Sequence, residues 1–276
     1  MSKIGLKLVE NARLLGVPCD IISRTHQRHY ITFSEGTEIL TLHKGNAKLD
    51  VYTFSLPAGH SCPSADDCLS KSDKITGKIT DGNNTLYRCF AASNEASFPT
   101  ARNSRWSNFD QLRKMGKWEM VQSISSAIPD KALVVRIHVS GDFFNQDYFN
   151  AWMMVARTMP TKLFYAYTKS LPYWVNYVSS GYKIPTNVNL TASYGGKQDR
   201  LIQEFGLKSA TVVFHPDEAA MLGLEIDHDD SLAKYGTKPF ALLLHGTQPA
   251  KSDASLALSR MRKEGIKFSY PKKGKK

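Results

Sequence analysis

The sequence predicts an α/β fold, a partial parallel (β/α)6-like barrel, on the basis of three observations. Six short apolar runs that favour β-strands occupy 50–56, 132–139, 162–168, 187–193, 210–214 and 239–245. The last five of these runs begin 23 to 30 residues apart, which leaves room for one helix between neighbours. Helical patterns do fill most of the gaps, as expected for successive βα units on a parallel sheet. A doubly wound parallel sheet is the alternative arrangement.

A different pattern precedes the first of these βα units. The stretch IGLKLVENARLL, 4–15, predicts a helix, and the β-rich runs of 31–54 predict a β-meander with turns at Glu35-Gly36 and Gly45-Asn46. We therefore divide the chain into three parts. Residues 1–49 form an N-terminal helix and meander that pack on the core, 50–268 form the α/β domain, and 269–276 form a basic tail.

Three of the later helices begin at residues that are typical of helix caps, namely Ser107, Asn145 and Ser252. The start at Ser107 resembles a capping box with Asp110 and predicts one apolar helix face, made of Phe109, Leu112, Met115 and Trp118. Gly265 follows two basic residues and predicts the end of the last helix.

Composition limits the classes of function. The chain has 276 residues, 42% of them hydrophobic, and no apolar run approaches the roughly 18 residues of a membrane span. The N-terminal sequence lacks the apolar core of a secretory signal, so we expect a cytoplasmic protein. A net charge of +11 makes nucleic acid a candidate partner, although four of the lysines lie in the C-terminal tail. There is neither a phosphate-binding loop nor a Gly-x-Ser-x-Gly motif.

Cysteine placement is the most informative feature for function. Three of the four cysteines, Cys62, Cys68 and Cys89, fall in one stretch that Pro57, Gly59, Pro63 and Gly77 mark as a loop. In a reducing cytosol, clustered thiols indicate metal binding or catalysis rather than disulfides. We expect them to ligate a [4Fe-4S] cluster and to leave one iron open. The alternatives are a zinc site completed by His60, or three unrelated thiols. Cys19 is expected to be a structural, buried residue.

Polar residues recur where the predicted strands end. The ends of the 132–139, 162–168 and 239–245 runs supply His138, Asp142, Lys169 and His245. Active sites of α/β proteins form at the carboxyl ends of parallel strands. We therefore expect these four residues to be catalytic and to lie together with the thiols at one edge of the sheet, with Asp142 the most important.

Several motifs occur in order along the chain: SLPAGHSCP at 55–63, RCFAA at 88–92, RIHVSGDFF at 136–144, FYAYTKS at 164–170 and HGTQPA at 245–250. Together they resemble the "gene product 88" domain family of bacteriophages, and the resemblance spans most of 50–265. It implies a phage origin and therefore the cytoplasm of an infected bacterium. A looser similarity is to radical S-adenosylmethionine enzymes, which also carry three cysteines after the first strand of a partial barrel. Their thiols lie within about eight residues, whereas Cys89 lies 21 residues beyond Cys68.

Three functions follow from these patterns. The first is a hydrolase or hydro-lyase for a small-molecule substrate, in which the open iron acts as a Lewis acid. The second is a radical enzyme that binds S-adenosylmethionine at the same iron. The third is a cluster-stabilised module that binds nucleic acid or a host protein through a basic and aromatic patch, made of Arg88, Arg102, Arg105, Arg113, Lys114, Tyr87, Phe90 and Trp106.

Overall fold

A computed structural model describes residues 40–44 and 51–267, all within one structural unit, Leu40–Lys276. The predicted N-terminal helix at 4–15, most of the meander, Cys19 and the basic tail at 269–276 lie outside the described residues.

The apolar runs form a single seven-stranded sheet that is parallel except at one edge. Its strands are β1 His43–Lys44, β2 Tyr52–Phe54, β5 Val134–Ile137, β6 Leu163–Thr168, β7 Val188–Ser193, β8 Ser209–Val213 and β9 Phe240–Leu243. A separate antiparallel hairpin pairs β3 Ser70–Ser72 with β4 Ile79–Asp81. All six predicted strands are confirmed, and so is the α/β class.

The order of strands in the sheet is β1-β2-β5-β6-β7-β8-β9, with β1 antiparallel to β2. Apart from the hairpin, this is the order of the chain, without the reversal that defines a doubly wound sheet. The doubly wound alternative therefore does not fit, whereas an open, partial barrel does. Strand ends that bear the candidate residues consequently lie side by side along one edge.

Helices connect the strands. They are α1 Phe90–Ser97, α2 Pro99–Leu112, α3 Lys117–Ala127, α4 Gln146–Thr158, α5 Leu171–Ser179, α6 Arg200–Glu204, α7 Pro216–Met221, α8 Ser231–Tyr235 and α9 Asp253–Lys263. No helix of the described residues is long and apolar enough to cross a membrane.

Two of the predicted caps are confirmed. Asn145 Oδ1 accepts the Tyr148 N–H at 2.8 Å, and Ser252 Oγ accepts the Ser255 N–H at 3.2 Å. Gly265 adopts a φ of 71° just after α9, as a helix-ending glycine does.

The helix start predicted at Ser107 is wrong. Helix α2 begins eight residues earlier, at Pro99, whose fixed φ and missing N–H suit a first helical turn. The chain then breaks before α3, so Trp118 does not share a face with Phe109 and is 55% exposed.

The core lies between one face of the sheet and helices α2 to α6. Alternate strand residues, such as Phe54, Ile137 and Phe164, point to this face and are fully buried. Trp152 of α4 packs among them, with its ring centroid 5.5 Å from that of Phe54 and 6.4 Å from that of Phe164. This apolar layer fixes the sheet, and thereby the positions of its strand ends.

The opposite face of the sheet is partly polar and is covered by α8, which the sequence did not predict. Ala233 of α8 packs with Tyr165 and Phe240, while Arg136 on β5 pairs with Asp230 just before α8. This face therefore combines an apolar part under α8 with a charged part next to it.

We expect Trp152→Ala to lower the free energy of unfolding by about 3–5 kcal/mol, because it removes a fully buried indole from the core. Trp118→Ala is the matched control and should change it by less than about 0.5 kcal/mol, since that side chain is exposed. Urea unfolding followed by circular dichroism measures both. Equal losses in the two variants would contradict this description of the core.

Candidate functional site

The first two cysteines lie on a loop that is pinned to the end of β7. Backbone N–H groups of Asp66 and Asp67 donate to the Gly195 carbonyl at 3.2 and 3.0 Å. The Lys197 N–H donates to the Ser64 carbonyl at 2.9 Å. Contact through backbone atoms fixes the segment between Cys62 and Cys68 without depending on its side chains.

Two glycines allow this close contact. A Cβ at Gly195, where φ is +88°, would lie 2.7 Å from Asp67 Oδ2. A Cβ at Gly141, where φ is +84°, would lie 2.5 Å from Ser61 Oγ and 2.6 Å from Leu56 Cβ. Only glycine combines this backbone conformation with such a short approach. Gly141 of the Ser-Gly-Asp motif and Gly195 of the Gly-Gly motif therefore allow the cysteine loop to pack closely against the strand ends.

The third cysteine reaches the site through the hairpin of β3 and β4. Ser70 Oγ accepts the Cys89 N–H at 3.2 Å, and an Arg88–Asp81 ion pair of 2.5 Å closes the hairpin beside it. The Arg88 N–H donates to Gln248 Oε1 at 2.7 Å, which ties this segment to the chain beyond β9. The 20 residues between Cys68 and Cys89 thus form an ordered segment, and the hairpin within it holds Cys89 in place.

The three thiols lie close enough to act on one another electrostatically. Burial is the largest cause that raises the pKa of each thiol, to about 12 for Cys68. Negative charge on Asp142, Cys89 and Cys68 raises the pKa of Cys62 further. Without a compensating cation, the site therefore favours protonated thiols.

Asp142 lies in this neighbourhood and is 5% exposed. Its Oδ1 accepts the Thr168 hydroxyl at 2.6 Å and the Phe143 N–H at 2.7 Å. Its Oδ2 accepts the Lys169 and Ser170 N–H groups at 2.8 and 3.2 Å, just before α5. Burial raises the pKa of Asp142, although these hydrogen bonds oppose the shift. The carboxylate therefore links the ends of β5 and β6 beside the thiols.

Lys169 brings a cation to the same place. Its Nζ donates to Ser193 Oγ at 2.9 Å and to the Tyr194 carbonyl, so the end of β6 is tied to the end of β7. The charge of Lys169 lowers the pKa of Cys68, although burial outweighs it. The same charge lowers the pKa of Asp67, again against burial.

The two candidate histidines lie near residues adjacent to Asp142 and Cys89 but make different contacts. His138 Nε2 is 2.9 Å from the Tyr148 hydroxyl, and its ring packs on Phe143 toward the helices. Burial lowers the pKa of His138 to about 3, so it is neutral. The His245 ring centroid lies 4.8 Å from that of Phe90, the residue after Cys89. Neither histidine is drawn into the hydrogen bonds around Asp142.

Sequence reasoning missed Glu95, which is fully buried on α1. Its Oε1 accepts the Ala58 N–H at 2.9 Å, the Ser140 hydroxyl at 3.0 Å and Arg105 Nη1 at 2.9 Å. Its charge raises the pKa of Cys89. Within the described residues, its Oε2 is buried without a hydrogen-bond partner. A glutamate in an alanine-rich helix gave no sequence signal of this role.

The predicted basic and aromatic patch is not an exposed surface. Arg102 and Arg105 are buried, and Arg102 donates to the backbone carbonyls of Lys74, Ile75 and Glu95. Arg88 is paired with Asp81, as described above. Three of the five cations that the patch requires are therefore engaged inside the protein.

The zinc alternative also lacks its expected fourth ligand. His60 is exposed, its Nε2 lies 3.1 Å from the Ser72 carbonyl, and its ring packs on Trp106. A single zinc ion binds thiolates at about 2.3 Å, so its ligands must converge on one point. Among the described residues, no group of three or more His, Cys, Asp or Glu side chains is arranged to hold a metal ion.

Fold and site together define an α/β protein with three cysteines near the carboxyl edge of a parallel sheet. The chain belongs to the gene product 88 family, whose model matches residues 29–261. This match confirms the resemblance to the phage family. No curated protein and no solved structure matches the chain, and the looser similarity to radical S-adenosylmethionine enzymes receives no support.

We expect Gly195→Ala to displace the cysteine loop, because its Cβ would collide with Asp67. Gly181 is the matched control, since its φ of +87° is nearly the same but no atom lies within 4 Å of a Cβ there. Both variants lose about 1–2 kcal/mol of stability from backbone strain. Only Gly195→Ala should also speed the reaction of Cys62 and Cys68 with a thiol reagent. Equal labelling rates in the two variants would contradict the role assigned to this glycine.

We expect Glu95→Gln to lower the free energy of unfolding by about 3–5 kcal/mol, because it leaves the buried Arg105 cation without its counter-charge. The double variant Glu95→Gln/Arg105→Met removes that cation while the glutamine oxygen still accepts from Ala58 and Ser140. It should therefore be more stable than the single variant in urea unfolding. A double variant as unstable as the single one would show that the ion pair is not what makes Glu95 necessary.

Proposed function

We propose that this protein is an iron–sulfur enzyme in which Cys62, Cys68 and Cys89 ligate one [4Fe-4S] cluster. The observation that carries the proposal is the group of three half-buried thiols. Beyond the effect of burial, Cys89 and Cys68 raise the pKa of Cys62, and Cys89 raises the pKa of Cys68. Gathering thiols in this way disfavours the thiolate unless a cation compensates, and iron supplies that compensation. A cubane asks less of the three thiols than a single ion does, because each cysteine binds a different iron and the thiolates need not converge on one point.

The donor set fits such a cluster. It consists of thiolates alone, the ligands that iron–sulfur clusters require. The loop that carries Cys62 and Cys68 is fixed through its backbone, so its two thiols do not depend on metal for their position. With three protein thiolates, one iron of the cluster would lack a cysteine ligand. When bound, this iron supplies Lewis-acid chemistry of a hydrolase or hydro-lyase type.

Two charged side chains would then act on a small-molecule substrate. Lys169 carries a fixed cation beside Cys68. Because its three N–H donors are engaged by Ser193 and Tyr194, Lys169 would attract an anionic substrate through its charge rather than through a hydrogen bond. Asp142 would hold the strand ends and α5 in register, because its two oxygens already accept four hydrogen bonds. We assign Asp142 to positioning rather than to proton transfer for the same reason. His138 and His245, which the sequence also suggested as catalytic, receive no role in this proposal, because His138 is buried toward the helices and His245 packs on Phe90.

Purification without oxygen tests the proposal. We expect brown protein with iron and acid-labile sulfide in equal amounts, and we expect Cys68→Ser to lose both. Cys19→Ser is the control and should keep them, since Cys19 is predicted to be structural. Colourless protein with stoichiometric zinc, or full iron content in Cys68→Ser, would contradict the proposal.

Proton release provides an independent readout in the same experiment. Burial and mutual repulsion raise the thiol pKa values, so the thiols of the metal-free protein are protonated below about pH 8.5, the ordinary pKa of cysteine. Cluster assembly from iron and sulfide at pH 7.5 should therefore release three thiol protons more than the same reagents release alone, and assembly should weaken as the pH falls.

A further inference from the structure

A carboxylate-binding arrangement lies on the face of the sheet opposite α4 and α5. Asp230 Oδ2 accepts Arg136 Nη1 at 2.8 Å and the Tyr165 hydroxyl at 2.9 Å. Asp230 Oδ1 accepts the Tyr167 hydroxyl at 3.1 Å. Adjacent strands β5 and β6 therefore present one guanidinium and two phenols to a single carboxylate, and both of its oxygens are engaged.

The carboxylate comes from outside the repeating βα units. Asp230 ends the segment between α7 and α8. It adopts a φ of 62°, in the left-handed region that glycine adopts most easily and aspartate adopts more readily than most residues, and it is only 4% exposed.

This arrangement acts electrostatically on a residue that lies near the third cysteine. The charges of Arg136 and Asp230 both act on the pKa of His245, whose ring packs on Phe90 next to Cys89. Thr191 is paired in register with Tyr167 and so points to the same face. Its hydroxyl is fully buried and, within the described residues, has no hydrogen-bond partner. A polar group thus remains available beside the occupied site.

We propose that Arg136, Tyr165, Tyr167 and Thr191 form a binding site for the carboxylate group of a ligand, which the Asp230 side chain fills in this structure. A guanidinium with flanking hydroxyls matches the two oxygens of a carboxylate in geometry and charge. A ligand enters when the segment that carries Asp230 and α8 moves aside. The inference rests on the proposed function in one respect, since it names carboxylic acids as the substrate class of the proposed iron–sulfur enzyme.

Replacement of Asp230 tests this site with acetate as the probe. In Asp230→Gly the carboxylate is gone, and glycine adopts the positive φ of this position without cost. We expect acetate, at tenfold above its Kd, to raise the thermal midpoint of this variant by about 3–6 °C relative to equal chloride. Wild type and Asp230→Asn are the matched controls and should not respond, since a side chain of the same shape still fills the site. Asp230→Gly/Arg136→Gln should not respond either.

Three results would overturn the proposal. These are an equal acetate response in all variants, no response in a folded Asp230→Gly, and an Asp230→Gly that stays unfolded at every acetate concentration while Asp230→Asn folds. Iron and sulfide are measured on the same samples. Protein that lacks iron but responds to acetate refutes the cluster alone, whereas loaded protein without a response refutes the carboxylate site alone.

Discussion

The candidate site depends on one buried carboxylate. Glu95 joins three segments that are far apart in the chain: the start of the cysteine loop through Ala58, the loop after β5 through Ser140, and α2 through Arg105. A carboxylate can do this because one of its oxygens can accept several hydrogen bonds at once. The cost of burying its charge is met by Arg105, whose guanidinium also donates to the Ala91 carbonyl within α1. Glu95 therefore links the helix after Cys89 to the loop that carries the other two thiols.

Backbone contacts, in addition to this ion pair, hold the cysteine loop in place. The cysteine loop meets the Gly-Gly turn after β7 through main-chain hydrogen bonds, and the loop after β5 passes it at Gly141. Such contacts tolerate little change in side-chain size but place few demands on side-chain chemistry. The cysteine loop consequently sits in a rigid frame, which would keep the ligands of the proposed cluster near the geometry that it requires.

The two faces of the sheet differ in polarity. One face carries the apolar layer around Trp152, which provides most of the hydrophobic burial. The other face holds Arg136, two tyrosine hydroxyls and the Thr191 hydroxyl, and α8 covers part of this face. Arg136 and the two tyrosine hydroxyls are paired with Asp230, whereas the buried Thr191 hydroxyl has no hydrogen-bond partner within the described residues. A buried polar group without a partner costs stability.

The sequence by itself determined the order and type of the βα units, because strand periodicity, strong caps such as Asn145 and the turn residues are local signals. It also identified the three clustered thiols, Asp142 and Lys169, since residues after parallel strands must meet at one edge. Only the tertiary structure decided which arginines are buried, that His138 faces the helices, and that Glu95 and Asp230 reach across the fold. Those outcomes depend on contacts between residues 10 to 94 positions apart in the chain, and no local pattern encodes them. Helix α2 shows the same limit on a smaller scale, because Pro99 rather than the better capping residue Ser107 fixed its start.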